Sequence, residues 1–241
     1  WPTRRLDPVE VDGSALFVGA SGHELREFLY AESEQAYQAA DIALLSRHLL
    51  DDPVELRFDK RRRWLLVVRG DGRLATVVID RNSNVVAWSL QECAGRIVSA
   101  ALHGGEPHFL IELNGRMLLE HLVDGLGVDH ALALTSPVAR ASWAGLDHLD
   151  GQEVLAVSDR SVVRTHVTGG QVALPTATTA LVVGTPYRHE VEPLALVVPD
   201  GGGISLDRPY RPVRIVFRML ASGALSADAG AGLRPVRLGP A

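Results

Sequence analysis

The sequence has little of what supports cross-linking, metal clusters, membrane insertion or nucleic-acid binding. Cys93 is the single cysteine, which excludes a disulfide within the chain and a cluster of thiol ligands. No apolar run approaches the roughly 18 residues that a membrane-spanning helix needs. Acidic residues number 29 against 24 basic ones, so the chain lacks the strongly basic balance of a protein that grips nucleic acid.

What is present indicates an ordinary globular protein. The chain has 241 residues, 46% of them apolar and 22% charged, which is enough for a substantial core in one large β domain or two small ones. One cysteine also fits a protein made in a reducing compartment. The chain begins at Trp1 with no leader pattern, and we expect it to be a segment of a longer polypeptide.

Strand-and-turn patterns dominate the first half of the chain. Trp64–Val68 and Leu74–Ile79 are β-rich runs joined across Asp71-Gly72, and His108–Leu113 meets Met117–Leu122 across Asn114-Gly115. Asp-Gly and Asn-Gly supply the positive φ that tight hairpins require. Val85–Leu90 and Ile97–Leu102 read as further strands. The pattern recurs after roughly 45 residues, which is typical of a β-propeller blade.

One short helix is predicted near residues 41–50. Asp41 provides an N-cap, the run Ile42–Leu50 places its apolar residues at helical spacing, and Asp51-Asp52-Pro53 ends it. We expect this helix to pack on a sheet.

The pattern changes near residue 140, which predicts two domains, 1–140 and 141–241. The second part contains shorter strands with turns at Asp150-Gly151, Asp159-Arg160 and Gly169-Gly170, and it indicates a small β-barrel or sandwich. Its shorter strands are Glu153–Val157, Ser161–Val167, Gln171–Leu174 and Ala180–Val183. A returning strand is expected at Val213–Leu220, where basic and apolar residues alternate. The predicted fold class is therefore all-β, with propeller-like antiparallel blades, a small β-barrel or sandwich, and one short helix.

Eight segments between about residue 14 and about residue 220 form an ordered pattern: Leu16–Gly19, Leu25–Tyr30, Tyr37–Leu49, Trp64–Leu74, Val85–Trp88, Gly95–Ser99, Gly145–Val154 and Val182–Tyr187. Their number and order resemble a family of phage tail and head-completion proteins related to tail tubular protein B and the packaged-DNA stabilisation protein.

The resemblance implies a structural hub or nozzle subunit and no enzyme. It implies copies of the chain in a ring, typically six-fold, that joins the portal or adaptor to the distal tail and lets DNA pass without sequence-specific binding. The subunit would lie in the virion tail after assembly in the bacterial cytoplasm. The family carries no catalytic residue, metal or cofactor that could be transferred to this chain.

The candidate interface or channel-facing residues are basic. Lys60, Arg61, Arg62 and Arg63 form the only basic run, and it could lie near channel DNA or an acidic neighbouring subunit. The alternative, which the pattern favours, is a charged gatekeeper before the sticky strand that starts at Trp64. Arg214 and Arg218, with Arg211, could form salt bridges between subunits or simply be solvated.

The patterns for metal binding, catalysis and receptor recognition are weaker. The histidines His103, His108, His121, His130 and His148 lack a persuasive metal-ligand spacing, although His108 and His121 could be cross-strand neighbours. Ser142 near the run Asp147–Asp150 lacks a nucleophile elbow. Arg69-Gly70-Asp71 spells an integrin-type tripeptide, but in a hairpin turn where Gly and Asp are expected.

Two further functions remain open from the residues. A carbohydrate- or receptor-binding tail module would use exposed aromatics such as Trp64, Trp88, Trp143 and Phe109, although core packing is favoured for them. A glycan hydrolase would need a cleft with paired carboxylates.

Overall fold

The computed structural model describes residues 2–32, 35–159, 161–193, 199–200, 203–204, 214–219 and 225–237. The chain divides into two compact units, Trp1–His189 and Glu190–Ala241. The described residues are almost entirely β-strands and turns, which confirms the all-β prediction.

The first unit opens with two sheets in which neighbouring strands follow each other along the chain as antiparallel hairpins. The first sheet consists of β1 (Val9–Val11), β2 (Ser14–Val18), β3 (Leu25–Ala31) and β4 (Ala36–Asp41). The second sheet consists of β5 (Pro53–Asp59), β6 (Trp64–Arg69), β7 (Leu74–Asp80) and β8 (Val85–Gln91). The predicted hairpin between β6 and β7 is present, and Gly72 has a φ of +87° there.

The third sheet has three strands, β9 (Arg96–His103), β10 (Glu106–Leu113) and β11 (Arg116–His121), with β10 in the middle. Asn114 and Gly115 have φ values of +52° and +72°, as a two-residue primed turn requires, so the Asn-Gly hairpin is confirmed.

The fourth sheet is antiparallel and open. It is formed by β12 (Asp129–Ala144), β13 (Glu153–Val157), β14 (Val162–His166) and β15 (Gln171–Thr185), in the spatial order β12-β15-β13-β14. Asp147–Leu149 is a single 3₁₀ turn and is the only helix among the described residues. The outer strands β12 and β14 do not pair with each other, so the described residues form no closed barrel here. The domain boundary predicted at 140 falls inside β12.

The central strands of the second sheet, β6 and β7, are buried on both faces. Leu65 and Val67 of β6 belong to a core shared with the first sheet. Leu66 and Val68 point the other way and belong to a core shared with the third sheet. Successive side chains of a strand face opposite sides, so a run of apolar residues without alternation is what two-sided burial requires.

The third and fourth sheets share a further core. Leu113, at the end of β10, packs with a cluster built mainly from the fourth sheet and the loops beside it. The four sheets of the first unit therefore pack against one another in the order in which they occur along the chain.

The helix predicted near residues 41–50 is wrong. Residues 42–50 form consecutive turns, with hydrogen bonds from Ser46 N to Ala43 O and from Leu49 N to Ser46 O. The expected cap is present, because the Asp41 carboxylate accepts from Ala43 N at 3.0 Å, but Asp41 is the last residue of β4. Ala43 and Leu50 are buried in the core of the first two sheets. Their burial holds the connection between β4 and β5 in consecutive turns, and no α-helix forms there.

The returning strand predicted at Val213–Leu220 is also not found, since residues 214–219 have no strand assignment and Val213 and Leu220 lie outside the described residues. Residues 214–219 are all exposed, so their alternation buries no face. The strands described in the second unit are β16 (Pro199–Asp200), β17 (Gly203–Ile204), β18 (Ser226–Ala227) and β19 (Arg234–Pro235), in two short antiparallel pairs.

We predict that Leu66→Ala destabilises the chain far more than Leu45→Ala. Leu66 is 1% exposed between two sheets, and deleting a buried leucine side chain costs about 2–5 kcal/mol of unfolding free energy. Leu45 is 92% exposed, and its replacement should change the unfolding free energy by less than about 0.5 kcal/mol. Urea unfolding measures both values. Similar effects for the two variants would contradict two-sided burial of the second sheet.

Candidate functional site

The basic run lies in the turn between β5 and β6 and is organised by Asp59. The Asp59 carboxylate accepts hydrogen bonds from the backbone N–H groups of Arg61 (2.9 Å) and Arg62 (3.1 Å) and from the Arg62 side chain (3.0 Å). Asp59 is 2% exposed, so these bonds replace the water that a buried carboxylate loses. Arg63 completes the turn with a φ of +61°.

From this turn, two arginines reach neighbouring sheets. Arg62 pairs with Glu106 of the third sheet at 2.6 Å, and its guanidinium stacks over Trp64. Arg63 forms a bidentate pair with Asp12, in the turn between β1 and β2, and stacks over Phe58. Ion pairs thus link the second sheet to the sheets on both sides. We call the two pairs, Arg62–Glu106 and Arg63–Asp12, the arginine clamps.

Similar contacts tie the same sheets together elsewhere. Arg81, in the turn between β7 and β8, donates to Val11 O at 2.9 Å and pairs with Glu27 of β3. Glu55 of β5 accepts from the Ser99 hydroxyl (2.8 Å) and from Ala100 N (2.9 Å) of β9. These hydrogen bonds and this ion pair therefore stabilise both interfaces of the second sheet.

Arg62 and Arg63 lower the pKa values of the carboxyl groups that they contact. Burial would raise the pKa of Asp59, but hydrogen bonds from Arg62 and from backbone N–H groups outweigh it and lower the pKa. The Arg63 side chain likewise lowers the pKa of Asp12, and the Arg62 side chain lowers the pKa of Glu106. Because the folded pKa values are lowered, these contributions to stability are present above the unfolded values and are lost as the pH falls.

The candidate basic residues therefore lie in different settings. Arg61 also pairs with Glu106 at 2.6 Å, whereas Lys60 is exposed. Arg214 and Arg218 are exposed in the second unit. Arg211 lies outside the described residues.

The Arg-Gly-Asp tripeptide folds back on itself. The Arg69 side chain is 5% exposed, donates to the Asp71 carboxylate at 2.8 Å and reaches Leu49 O at 2.8 Å. A buried arginine whose donors are used within the chain does not offer the tripeptide to a receptor.

The aromatic residues considered for sugar stacking pack into the protein interior. Trp143 and Phe109 are buried, and Trp64 and Trp88 pack at the margins of two cores. An exposed aromatic group does exist elsewhere, and sequence reasoning missed it. Phe28 and Tyr37 stack with ring centroids 5.0 Å apart, Tyr30 meets Tyr37 edge to face, and Tyr37 is 61% exposed.

The histidines form a short row on the third sheet. His108 and His121 are cross-strand partners, as their positions predicted, with ring centroids 5.7 Å apart, and His103 lies 5.9 Å from His108. Across the described part of the chain, no group of three or more His, Cys, Asp or Glu side chains is arranged to hold a metal ion.

A cavity of about 460 Å³ lies between the second and third sheets. Its walls are mainly apolar, and a group of polar residues from the loop after β8, from β11 and from the start of β12 lines one side. The apolar walls include Leu66, Leu74, Ile97, Phe109, Ile111 and Val128, and the polar group includes Cys93, Glu120, Asp129 and His130.

His130 lies at the centre of this polar group. Its side chain is 1% exposed, and Nδ1 lies 2.9 and 3.0 Å from the two Glu120 carboxylate oxygens. Nε2 is buried without a hydrogen-bond partner among the described residues. Burial would lower the pKa of His130, but its interactions with Cys93 and Glu120 raise the pKa to about 10.

The backbone of β12 positions this histidine. His130 has a φ of +51°, and the pairing of β12 with β15 shifts register between Asp129 and Leu132. Gly184 of β15 lies against this irregularity, and a Cβ there would come within 2.5 Å of Asp129 O. Burial raises the pKa of the neighbouring Asp129 carboxyl, an effect that the His130 charge opposes and the Glu120 charge reinforces.

Sequence reasoning did not find this group because its members are far apart in the chain. Cys93, Glu120 and His130 belong to no short motif, and only the packing of β11, β12 and the loop after β8 brings them together. The one usable signal was the presence of a single cysteine and a histidine next to an aspartate.

Comparison with known proteins gives no family for this chain. No protein-family model matches it, and no curated protein shows significant sequence similarity to it. Among the described residues, no helix has the length and apolar character needed to cross a membrane.

We predict that Arg62→Ala lowers the unfolding free energy by about 1–3 kcal/mol, because the buried Asp59 carboxylate loses a charged donor. The matched control is Arg164→Ala, which removes an exposed pair with Glu153. Exposed pairs contribute little, so the control should leave the urea midpoint unchanged. Equal midpoints for the two variants would show that the arginine clamps do not stabilise the stacked sheets.

Proposed function

We propose that the chain is a structural subunit of a phage or prophage tail, of the hub or nozzle kind, that forms a ring around the DNA exit channel. The resemblance of its sequence segments to tail and head-completion proteins suggests this role. The observation that carries the proposal is the stack of antiparallel sheets in chain order, joined by apolar cores and by the arginine clamps.

Such a stack suits a load-bearing scaffold. The first and second sheets each have four consecutive antiparallel strands and pack face to face, as the blades of a propeller do. The propeller-like arrangement is part of the proposal, with these two sheets as complete blades and the three-stranded third sheet as a shorter one. Sheets joined by apolar cores and ion pairs place their edges at fixed positions for contact with neighbouring subunits.

Exposed apolar side chains on edge strands provide contact surfaces for those neighbours. Leu119 and Met117 are exposed on β11, and Val138 and Val162 are exposed on the outer strands of the fourth sheet. Edge strands with unpaired backbone groups are ready to pair with or pack against another chain. We assign these edges to contacts with copies of the chain and with the portal, the adaptor or other tail proteins.

Charge supports a conduit better than a DNA-binding protein. The formal charge is −5, so a ring of copies is net acidic, and an acidic wall repels DNA and favours its passage. Arg62 and Arg63 are held in ion pairs within the chain, which leaves them little capacity to bind phosphate groups.

A second candidate is carbohydrate or receptor binding by a tail module. Phe28, Tyr30 and Tyr37 carry this alternative, because exposed aromatic rings stack on the apolar faces of sugars. A cleft of about 520 Å³ beside these rings is lined partly by the exposed Glu10, whose carboxylate could accept hydrogen bonds from sugar hydroxyl groups. This alternative needs a peripheral position on the tail, whereas the first needs an axial one.

Cryo-electron microscopy of the tailed particles that contain the parent chain tests the proposal directly. We expect density for the stacked sheets in an axial ring, with six copies, between the portal or adaptor and the distal tail. Density at a peripheral fibre or spike would overturn the hub assignment and favour the glycan-binding alternative. Absence of the chain from purified particles would overturn both.

A further inference from the structure

The cavity between the second and third sheets is larger than close packing leaves. Protein interiors contain few voids larger than a water molecule, whereas this cavity of about 460 Å³ has the size of a small-molecule site. Its walls include Leu66, Phe109 and Ile111, so a ligand that fills it needs an apolar body. The charged residues on one side of the cavity determine which polar group that ligand should carry.

The charges that line the cavity are mostly negative. Among the described residues that line it, four are acidic and none is a lysine or an arginine. The acidic residues are Glu92, Glu120, Asp124 and Asp129. Glu92 and Asp124 are exposed, and Asp124 also lies 3.8 Å from Arg62, so water and a cation stabilise the charges at the rim. Glu120 and Asp129 are partly buried and have less of this help.

The two partly buried carboxyl groups share one cationic neighbour. Both Glu120 oxygens lie at Nδ1 of His130, at 2.9 and 3.0 Å. Within the described part of the chain, the Asp129 carboxyl has no hydrogen-bond donor and no ion-pair partner in contact with it. Burial and the Glu120 charge raise the pKa of this carboxyl, and the His130 charge opposes them. One imidazolium beside two carboxylates leaves one negative charge without a counterion.

His130 is held beside these carboxylates in a costly arrangement. Its backbone has a positive φ, which non-glycine residues rarely adopt, and its buried Nε2 lacks a hydrogen-bond partner among the described residues. Strained backbone and unpaired buried polar atoms concentrate at functional sites, where surrounding structure enforces them. The shift in register of β12 and the close contact of Gly184 enforce this one. An observation independent of the acidic residues thus marks this side of the cavity as a functional site.

We infer that the cavity binds a small apolar molecule with one primary ammonium group, which pairs with Glu120 and Asp129 while the apolar body lies between the second and third sheets. An ammonium has three N–H donors, so it can donate to both carboxylates. It also supplies the one positive charge that these side chains lack, and a buried charge needs such pairing. An anionic ligand would place a further negative charge beside like charges, which is unfavourable.

The test compares three ligands that share a phenyl ring and a four-carbon chain, namely 4-phenylbutylamine, 4-phenylbutan-1-ol and 4-phenylbutanoate. Isothermal titration calorimetry of the full chain at neutral pH and low salt measures each affinity. We expect one site per chain, with the amine bound about tenfold or more tightly than the alcohol, because charge-assisted hydrogen bonds are stronger than neutral ones. The carboxylate should bind more weakly than the alcohol, since Glu120 and Asp129 repel it.

Two further measurements locate the ligand. Butylamine carries the same ammonium group without the ring, and it should bind about tenfold or more weakly than 4-phenylbutylamine because it buries less apolar surface. In nuclear magnetic resonance spectra of the nitrogen-15-labelled chain, 4-phenylbutylamine should shift the amide signals of β10, β11 and the start of β12, which line the cavity.

Variants of the two carboxylates separate recognition of the ammonium from a structural role. Glu120→Gln and Asp129→Asn keep the side-chain shape, and each should weaken binding of the amine about tenfold while binding of the alcohol stays within about twofold. A structural role alone would weaken both ligands together. The matched control is Glu112→Gln, at an exposed carboxylate of β10 outside the cavity, and it should leave the ratio of the two affinities unchanged.

Three results would overturn the inference. Binding of the alcohol as tight as that of the amine, or no saturable binding of the amine, would show that the cavity does not recognise an ammonium group. An unchanged ratio of affinities in both carboxylate variants would place the ammonium elsewhere. Equal affinities for butylamine and 4-phenylbutylamine would show that the apolar walls do not receive the ligand. If a variant does not fold, the comparison of ligands with the unaltered chain decides the outcome.

Discussion

The structure of the first unit depends on one constraint, which is that β6 buries side chains on both of its faces. Leu65 and Val67 pack toward the first sheet, and Leu66 and Val68 pack toward the third. A single partner sheet would leave the apolar side chains on one face of this strand exposed to water. The sheets before and after it in the chain therefore cover it from both sides. The stacking of sheets in chain order follows from this requirement.

Ion pairs between the sheets add to the stability that the apolar cores provide. The turn that precedes β6 carries the basic run, and Arg62 and Arg63 leave it in opposite directions to Glu106 and Asp12. Pairs that are partly shielded from water are screened less by salt than exposed ones are. The charges that the sequence concentrates beside β6 thus serve the alignment of three sheets.

Features that depend on residues close together in the sequence could be predicted, whereas features that depend on tertiary contacts could not. The hairpins at Asp71-Gly72 and Asn114-Gly115 were predictable because the backbone geometry of a tight turn selects those residues. The prediction of a helix near residues 41–50 was wrong, because apolar residues at helical spacing also suit consecutive turns when Ala43 and Leu50 are buried in a core. The group of Cys93, Glu120 and His130 could not be predicted, since only the tertiary packing of distant segments assembles it.

Hydrogen exchange followed by mass spectrometry tests the central claim most directly, because amide protection reports which strands open only with global unfolding. Two-sided burial predicts that the amides of β6 and β7 exchange slowest of the first unit, about tenfold or more slowly than those of the outer strand β8. Exchange of β6 as fast as that of β8 would contradict the account, because the second sheet would then not be the centre of a rigid stack.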